Sequence, residues 1–337
     1  MTRARLEEIL GRIRGVRIGV AGDYCLDAYW ELDTGIRELS LETGKQTHGV
    51  RSQRYTPGGA GNVAANLTAL GTGTVYAFGV LGPDLFGREL DALLRKRSID
   101  TTGMVIQERD WETPVYAKPY SAGTEQERID FGRWNTMQSD AALSGLIGSA
   151  LPRLDALVVN QQLSPGIHSE GMIRALNRYA REHPGVPFIL DARSMSTSFT
   201  GMILKLNANE AARLASGISP EEASAHGDEI RSHARLIGER CGRPVFVSRG
   251  HEGILLFDGN GFTDIPAIPL SGPIDPVGAG DATVSAIAAT LASGGTLEEA
   301  GEMGNLAGAV TVKKVRETGT ATPGELLAVA RREGIPG

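Results

Sequence analysis

The stretch LDALVVNQQLSPGIHSEGMIRALNRYAREHPGVPFILDA, Leu154–Ala192, decides the fold. Its ends, LDALVVN (Leu154–Asn160) and PFILDA (Pro187–Ala192), are apolar on successive positions, as strands buried on both faces are. Between them EGMIRALNRYARE carries apolar residues at helical spacing. Strand, helix and strand in close succession form the unit from which parallel sheets are built. Similar apolar runs lie further out at VRIGVAGD (Val16–Asp23), TVYAFGVLG (Thr74–Gly82), PVFVSRG (Pro244–Gly250) and GILLFD (Gly253–Asp258). Helical patterns such as AANLTALG and GRELDALLRKRS separate several of them. The alternation predicts an α/β fold, a mostly parallel central sheet with helices on both sides.

Two segments break the alternation. Residues 28–55 and 111–131 hold polar, aromatic and β-branched residues without helical periodicity. They read as short strands outside the main sheet, either a small lid over a ligand cleft or plain surface hairpins. No repeat, low-complexity tract or Pro/Ser linker divides the chain, so residues 1–337 are expected to form one domain.

Composition narrows the function classes. Of 337 residues 41% are hydrophobic, and no apolar run approaches the ~20 residues of a membrane span. The formal charge is −6, from 34 basic and 40 acidic residues without a basic run, which argues against nucleic acid or a membrane surface as partner. Cys25 and Cys241 sit in or beside apolar stretches and read as reduced, buried thiols. His48, His168, His183, His226, His233 and His251 lack zinc-ligand spacing. The first residues, MTRARLEEILGRIRG, form a helical pattern without the apolar core of a signal peptide, so a cytoplasmic protein is expected.

Glycine is the unusual number, 44 residues, and two clusters hold the chemistry. TPGGAGNVAANLTALG (Thr56–Gly71) loosely satisfies a dinucleotide pattern, but it follows a polar stretch instead of the first buried strand. It reads either as a tight turn capping a helix from about Asn62, or as bare backbone at Gly58, Gly59 and Gly61 that lets a polar ligand approach. DPVGAGDATVSAIAATLASGG (Asp275–Gly295) is a glycine-rich turn opening a small-residue helix. Such a turn directs free backbone N–H groups and the positive end of the helix dipole at an anion. Asp281 then stands in the first helical turn, where an acidic residue is also ordinary helix chemistry. Amides that take up phosphoryl charge, beside a carboxylate that can deprotonate a hydroxyl, point to phosphoryl transfer. Neither a P-loop nor the protein-kinase HRD and DFG motifs are present.

DPVGAGD resembles the second signature of ribokinase-like (PfkB-type) carbohydrate kinases, and PGGAGNVAANLTALG the first. GPDLFG (Gly82–Gly87), KLNANE (Lys205–Glu210), SRGHEG (Ser248–Gly253) and GDYCLD (Gly22–Asp27) resemble further motifs of that family in the expected order. GDYCLDAYW and ERIDFG are closest to the kinase domain of bifunctional heptose-phosphate kinase/adenylyltransferases. The resemblance implies a Rossmann-like, three-layer α/β/α sandwich with a small β lid. At 337 residues the chain is expected to carry the kinase domain without an adenylyltransferase domain. Where that subgroup has Asp-Tyr-x-Lys-Gly, this chain reads NQQLSPG (Asn160–Gly166). The missing lysine bears against heptose 7-phosphate as acceptor and leaves kinase chemistry intact.

Carried over residue by residue, the resemblance makes Asp281 the general base and Gly278, Ala279 and Gly280 the anion hole. Asp23, Asp27, Gly58, Gly59 and Asn62 would hold the sugar, with Arg128 toward a phosphate already on it. Ser248, Gly250, Gly253 and Asn305 would line ATP, with Arg193 near its phosphates. Asn207 and Glu210 would organise Mg²⁺ through water, and Asp275 a monovalent-cation (K⁺) loop. Lys118 reads as an exposed lid lysine and Asn66 as a capping or packing residue. Trp30, Trp111 and Trp134 read as packing in a lid or dimer clasp. Open lid strands that pair across subunits point to a homodimer. Alternatives are a kinase for a nucleoside or other small alcohol, a non-catalytic sugar or nucleotide sensor, and last a dinucleotide oxidoreductase.

Overall fold

The computed structural model describes all residues except 34, 36–37, 218–226, 315–318 and 335–337, so His226 lies outside the described residues. Its main sheet uses β1 (Arg17–Gly22), β4 (Thr74–Leu81), β5 (Ile99–Ile106), β9 (Ala156–Gln161), β10 (Phe188–Ala192), β11 (Ile203–Asn207), β12 (Val245–Ser248), β13 (Ile254–Phe257) and β14 (Phe262–Ile265). The strand order is β14-β13-β12-β11-β10-β9-β1-β4-β5, parallel except for the β13–β14 hairpin appended at one edge. Each apolar run expected to be a strand is one. β5, β11 and β14 are additional.

The alternation of side chains along a strand explains the layers. On β9, Val158 joins one core with Ile18, Val20 and Ile189, while Leu157 and Val159 join the other with Phe188 and Leu190. The first core packs under α1 (Arg3–Ile13), α2 (Ala60–Ala69), α3 (Leu85–Lys96), α8 (Ala279–Ala292), α9 (Leu297–Thr311) and α10 (Pro323–Arg332). The second packs under α4 (Asp140–Ala150), α5 (Glu170–Glu182), α6 (Ala208–Ser216) and α7 (Asp228–Cys241). No helix among the described residues is long and apolar enough to cross a membrane.

The two segments that broke the pattern do form strands outside the main sheet. β2 (Tyr24–Asp33) pairs with β3 (Gly49–Gly59) and β6 (Val115–Ser121), and β7 (Thr124–Glu125) and β8 (Ile129–Phe131) pair with β6. Thr56–Gly59 is the end of strand β3, not a turn, and α2 begins at Ala60, before Asn62. β3 is an edge strand, where a proline such as Pro57 is tolerated. GPDLFG ties this second sheet down: Asp84 caps α3 by accepting from Gly87 N at 2.7 Å, and its other oxygen accepts from Thr113 N at 2.8 Å, just ahead of β6.

Trp111 is core and Trp30 packs against core, whereas Trp134 is 93% exposed. Both thiols are unpaired, Cys25 buried and Cys241 half-buried.

Candidate active site

A cleft of about 330 Å³ lies between the two sheets at the C-terminal ends of β9, β10 and β11, where parallel α/β sheets place ligands. The second sheet contributes Cys25, Asp27, Tyr116 and Lys118, with Arg128 just ahead of β8; the main sheet contributes Asp191, Lys205 and Asn207, with Arg193 just after β10 and Glu210 from α6. Gly59, Asn62, Gly278, Gly280 and Asp281 complete the wall from the starts of α2 and α8.

Gly278 is the N-cap of α8, in the left-handed conformation at φ 79°, which favours glycine. The helix begins at Ala279, so Ala279 and Gly280 belong to its first turn. Ala279 N–H donates to Pro276 O at 3.2 Å and is already engaged, unlike the free amide expected of it. Asp281, in the same turn, is half-buried at the cleft wall. Burial, then the charge of Asp191, pushes its carboxyl up to about 7, against the opposing pull of Lys205, Asn62 and Arg193. A carboxyl titrating there is poised to exchange a proton near neutrality.

On the second sheet, Lys118 Nζ donates to Asp27 Oδ1 at 2.8 Å and lies 5.0 Å from the centre of the Tyr29 ring. Burial works against its charge, but Asp27 holds its pKa above the ordinary lysine value. Lys118 is therefore a cleft residue, not an exposed lid lysine; its 18% side-chain exposure and its ion pair show the difference. Glycine at 58 leaves room for the Asp27 side chain, because a Cβ there would stand 2.8 Å from both Asp27 Oδ2 and Cys25 Sγ. Arg128 stacks 4.3 Å over Tyr116 while its guanidinium pairs with Asp130 at 2.6 and 2.9 Å.

Asp23 departs from the expectation of a sugar ligand. Its carboxylate is inaccessible and accepts from Gln162 N, Leu163 N and Ile167 N, each at 2.8 Å, with His168 Nδ1 at 3.6 Å. Burial opposes its charge, yet His168 and these amides keep its pKa below the ordinary aspartate value. Asp23 shapes the loop that presents Gln162 to the cleft, its carboxylate oxygens engaged by the loop amides.

KLNANE turns out to be a helix cap. Asn207 Oδ1 accepts from Glu210 N and Glu210 Oε2 accepts from Asn207 N, both at 2.8 Å, a capping box at the start of α6. Burial raises the Glu210 carboxyl despite nearby Lys205. Ser248, Gly250, Gly253 and Asn305 are not part of the cleft wall. Ser248 Oγ donates to Leu206 O at 3.2 Å, and the Asn305 amide donates to Ile265 O and Pro266 O at 3.1 and 3.0 Å, so its donors are spent on backbone. Gly250 and Gly253 take φ of 60° and 85° around a short turn. Asp275 Oδ1 accepts from Val277 N at 3.1 Å and shapes the loop ahead of α8. Asn66 donates to Asn62 O at 3.0 Å within α2.

Two cleft residues lie inside quoted motifs but carry no role expected from the sequence. Lys205 and Asp191 form a buried ion pair at 3.2 Å. Both sit inside apolar strands, and only the register of the sheet brings them together.

With the geometry in place, the family follows. The chain matches the pfkB family carbohydrate kinase model over residues 28–323 and belongs to that family of carbohydrate kinases. The Bifunctional protein HldE of Coxiella burnetii (strain Dugway 5J108-111) is 29% identical over 91% of this chain and 62% of that protein. The HldE of Halorhodospira halophila (strain DSM 244 / SL1) is 31% identical over 94% of this chain and 63% of its own length. The chain thus spans somewhat under two thirds of these curated relatives. Phosphofructokinase-2 from Escherichia coli, solved in complex with potassium, superimposes with a TM-score of 0.74 at 20% identity, covering 95% of this chain and 99% of that one. Arabidopsis thaliana ribokinase complexed with ribose and ATP gives a TM-score of 0.68 at 20% identity, covering 93% and 98%. The fold is ribokinase-like.

Proposed function

We propose that the chain transfers the γ-phosphoryl group of ATP to a hydroxyl of a sugar or sugar phosphate, with Asp281 as general base. The observation that carries this is the place of Asp281: on the first turn of α8, in a cleft with Asp27 and Lys118 on one side and Lys205 and Glu210 on the other. Asp281 takes the proton of the attacking hydroxyl at its carboxylate. The backbone at Gly278 and Gly280, with the helix dipole, meets the charge on the transferred phosphoryl. Asp27, Gly59 and Asn62 hold the sugar, and Arg128 and Arg193 supply positive charge for phosphates on acceptor or donor.

The donors at the start of α6 suit magnesium. Glu210 gives one carboxylate and Asn207 one amide, and Mg²⁺ takes few protein ligands and keeps several waters. Bound with ATP, the metal supplies charge neutralisation on the phosphates. A monovalent cation would act through the Asp275 loop, ahead of α8. The exposed β3 edge, with Val50 50% exposed, suits pairing with a second copy of the chain. A panel of free sugars, sugar phosphates and nucleosides, assayed for ADP release with Mg²⁺ and ATP, tests the reading. Turnover of a sugar or sugar phosphate supports it, and turnover of nucleosides alone overturns it.

A further inference from the structure

The strand register builds a polar row into the otherwise apolar face beneath α8. Asn160 on β9 stands opposite Asp191 on β10, and Asp191 stands opposite Lys205 on β11. Side chains two apart share a face, so Asn160 follows Val158, and Asp191 follows Ile189, on the face that packs against α8. Asn160 Nδ2 donates to Asp191 Oδ2 at 3.1 Å, and Lys205 Nζ donates to Asp191 Oδ1 at 3.2 Å. Asn160, Asp191 and Lys205 are 0%, 6% and 5% exposed.

A buried charge is costly unless paired, and sheet stability gives no reason to put one here. The row ends against α8: a Cβ at Gly280 would stand 3.0 Å from Lys205 Nζ, so the glycine before Asp281 makes room for the ammonium. The carboxyls whose charge bears on that ammonium come from different elements, Asp191 on β10, Glu210 on α6 and Asp281 on α8. The groups bearing on Asp281 are Asp191, Lys205, Arg193 just after β10, and the neutral Asn62 on α2.

We infer that Lys205 is a positioning residue for phosphoryl transfer: seated by the Asn160–Asp191 pair, its ammonium is the fixed counter-charge that keeps a proton-accepting carboxylate at Asp281. Asp191 holds the lysine in place and, as a nearby negative charge, works in the opposite sense on Asp281. The two partners of one ion pair therefore act on the base with opposite signs, so removing each is expected to move it in the opposite direction.

The inference rests on Asp281 being the base, and the test separates the two. The pH dependence of kcat is measured at saturating ATP and acceptor for the wild type, Lys205→Met, Asp191→Asn and Asp281→Asn. Lys205→Met is expected to lower kcat at pH 7 about fivefold, with the acid limb of the profile moved about one unit upward. Asp191→Asn is expected to move that limb downward. Limbs that stay at the wild-type position in both variants, with Asp281→Asn inactive, overturn the role of Lys205 and leave the base assignment standing. Wild-type turnover in Asp281→Asn overturns both. Should Lys205→Met fail to fold, Asp191→Asn decides: a downward limb supports the inference and an unmoved one overturns it.

Discussion

Lys118 on β6 reaches diagonally across a parallel strand pair to Asp27 on β2, closing a 2.8 Å ion pair on the second-sheet side of the cleft. Asp27 is 6% exposed, and Lys118 is its ion-pair partner. Lys118→Met removes the partner and leaves a carboxylate poorly solvated, at a cost of about 1–3 kcal/mol in stability. The acceptor KM is expected to rise at least tenfold with the ATP KM nearly unchanged. Thermal melts and separate KM determinations check the two halves of this prediction.

Gly58 offers a steric test of the same wall. A Cβ at this position meets Asp27 Oδ2 and Cys25 Sγ at 2.8 Å, so Gly58→Ala must displace the Asp27 carboxylate. Acceptor binding is expected to weaken more than nucleotide binding. Titration calorimetry with each ligand separately measures the difference.

Asp281 links activity and stability with opposite signs. Its folded pKa is raised from 3.8 to about 7, so the folded state binds the proton more tightly than the unfolded state does. The stabilisation is fully present below pH 3.8 and is lost as pH rises through about 7. Asp281→Asn escapes that loss. It should melt higher than wild type at pH 8, and the gap should close toward pH 4. Melting curves across this range give the answer, and a gap independent of pH contradicts the assignment.

Glu210 completes a helix cap and, in the proposed function, would also help hold the metal. Asn207→Ala removes the cap and should cost about 0.5–2 kcal/mol. Glu210→Gln keeps the shape of the capping box, so its melting temperature should change less, while the Mg²⁺ concentration giving half-maximal rate should rise. Chelation of the metal by EDTA should abolish turnover in both variants and in the wild type.

The layered architecture was legible because apolar runs and helical spacing follow from burial on one or two faces. β11 escaped that reading: ILKLN is five residues long and carries Lys205 and Asn207. β5, with Asp100, Thr101 and Thr102 in its first half, escaped for a similar reason. One of the two readings of Thr56–Gly59, a tight turn, came from its proline and glycines, yet an edge strand tolerates both. Within the site, the motif-borne Asp281, Gly278 and Gly280 were visible, and the structure brings them to one cleft with Asp27 and Asn62. Asp191 and Lys205 were not visible, because their juxtaposition exists only in the strand register. The burial of Asp23 by the 162–167 loop was hidden as well, since its three amide partners lie far along the chain.

The central claim is phosphoryl transfer driven by a carboxylate base at Asp281. Its most direct measurement is single-turnover transfer from γ-labelled ATP to an accepted sugar or sugar phosphate, comparing wild type with Asp281→Asn at saturating substrates. The account predicts labelled sugar product from the wild type and a rate lower by about 10²–10⁴-fold in the variant, with ATP binding preserved. Equal rates in the two proteins would contradict it.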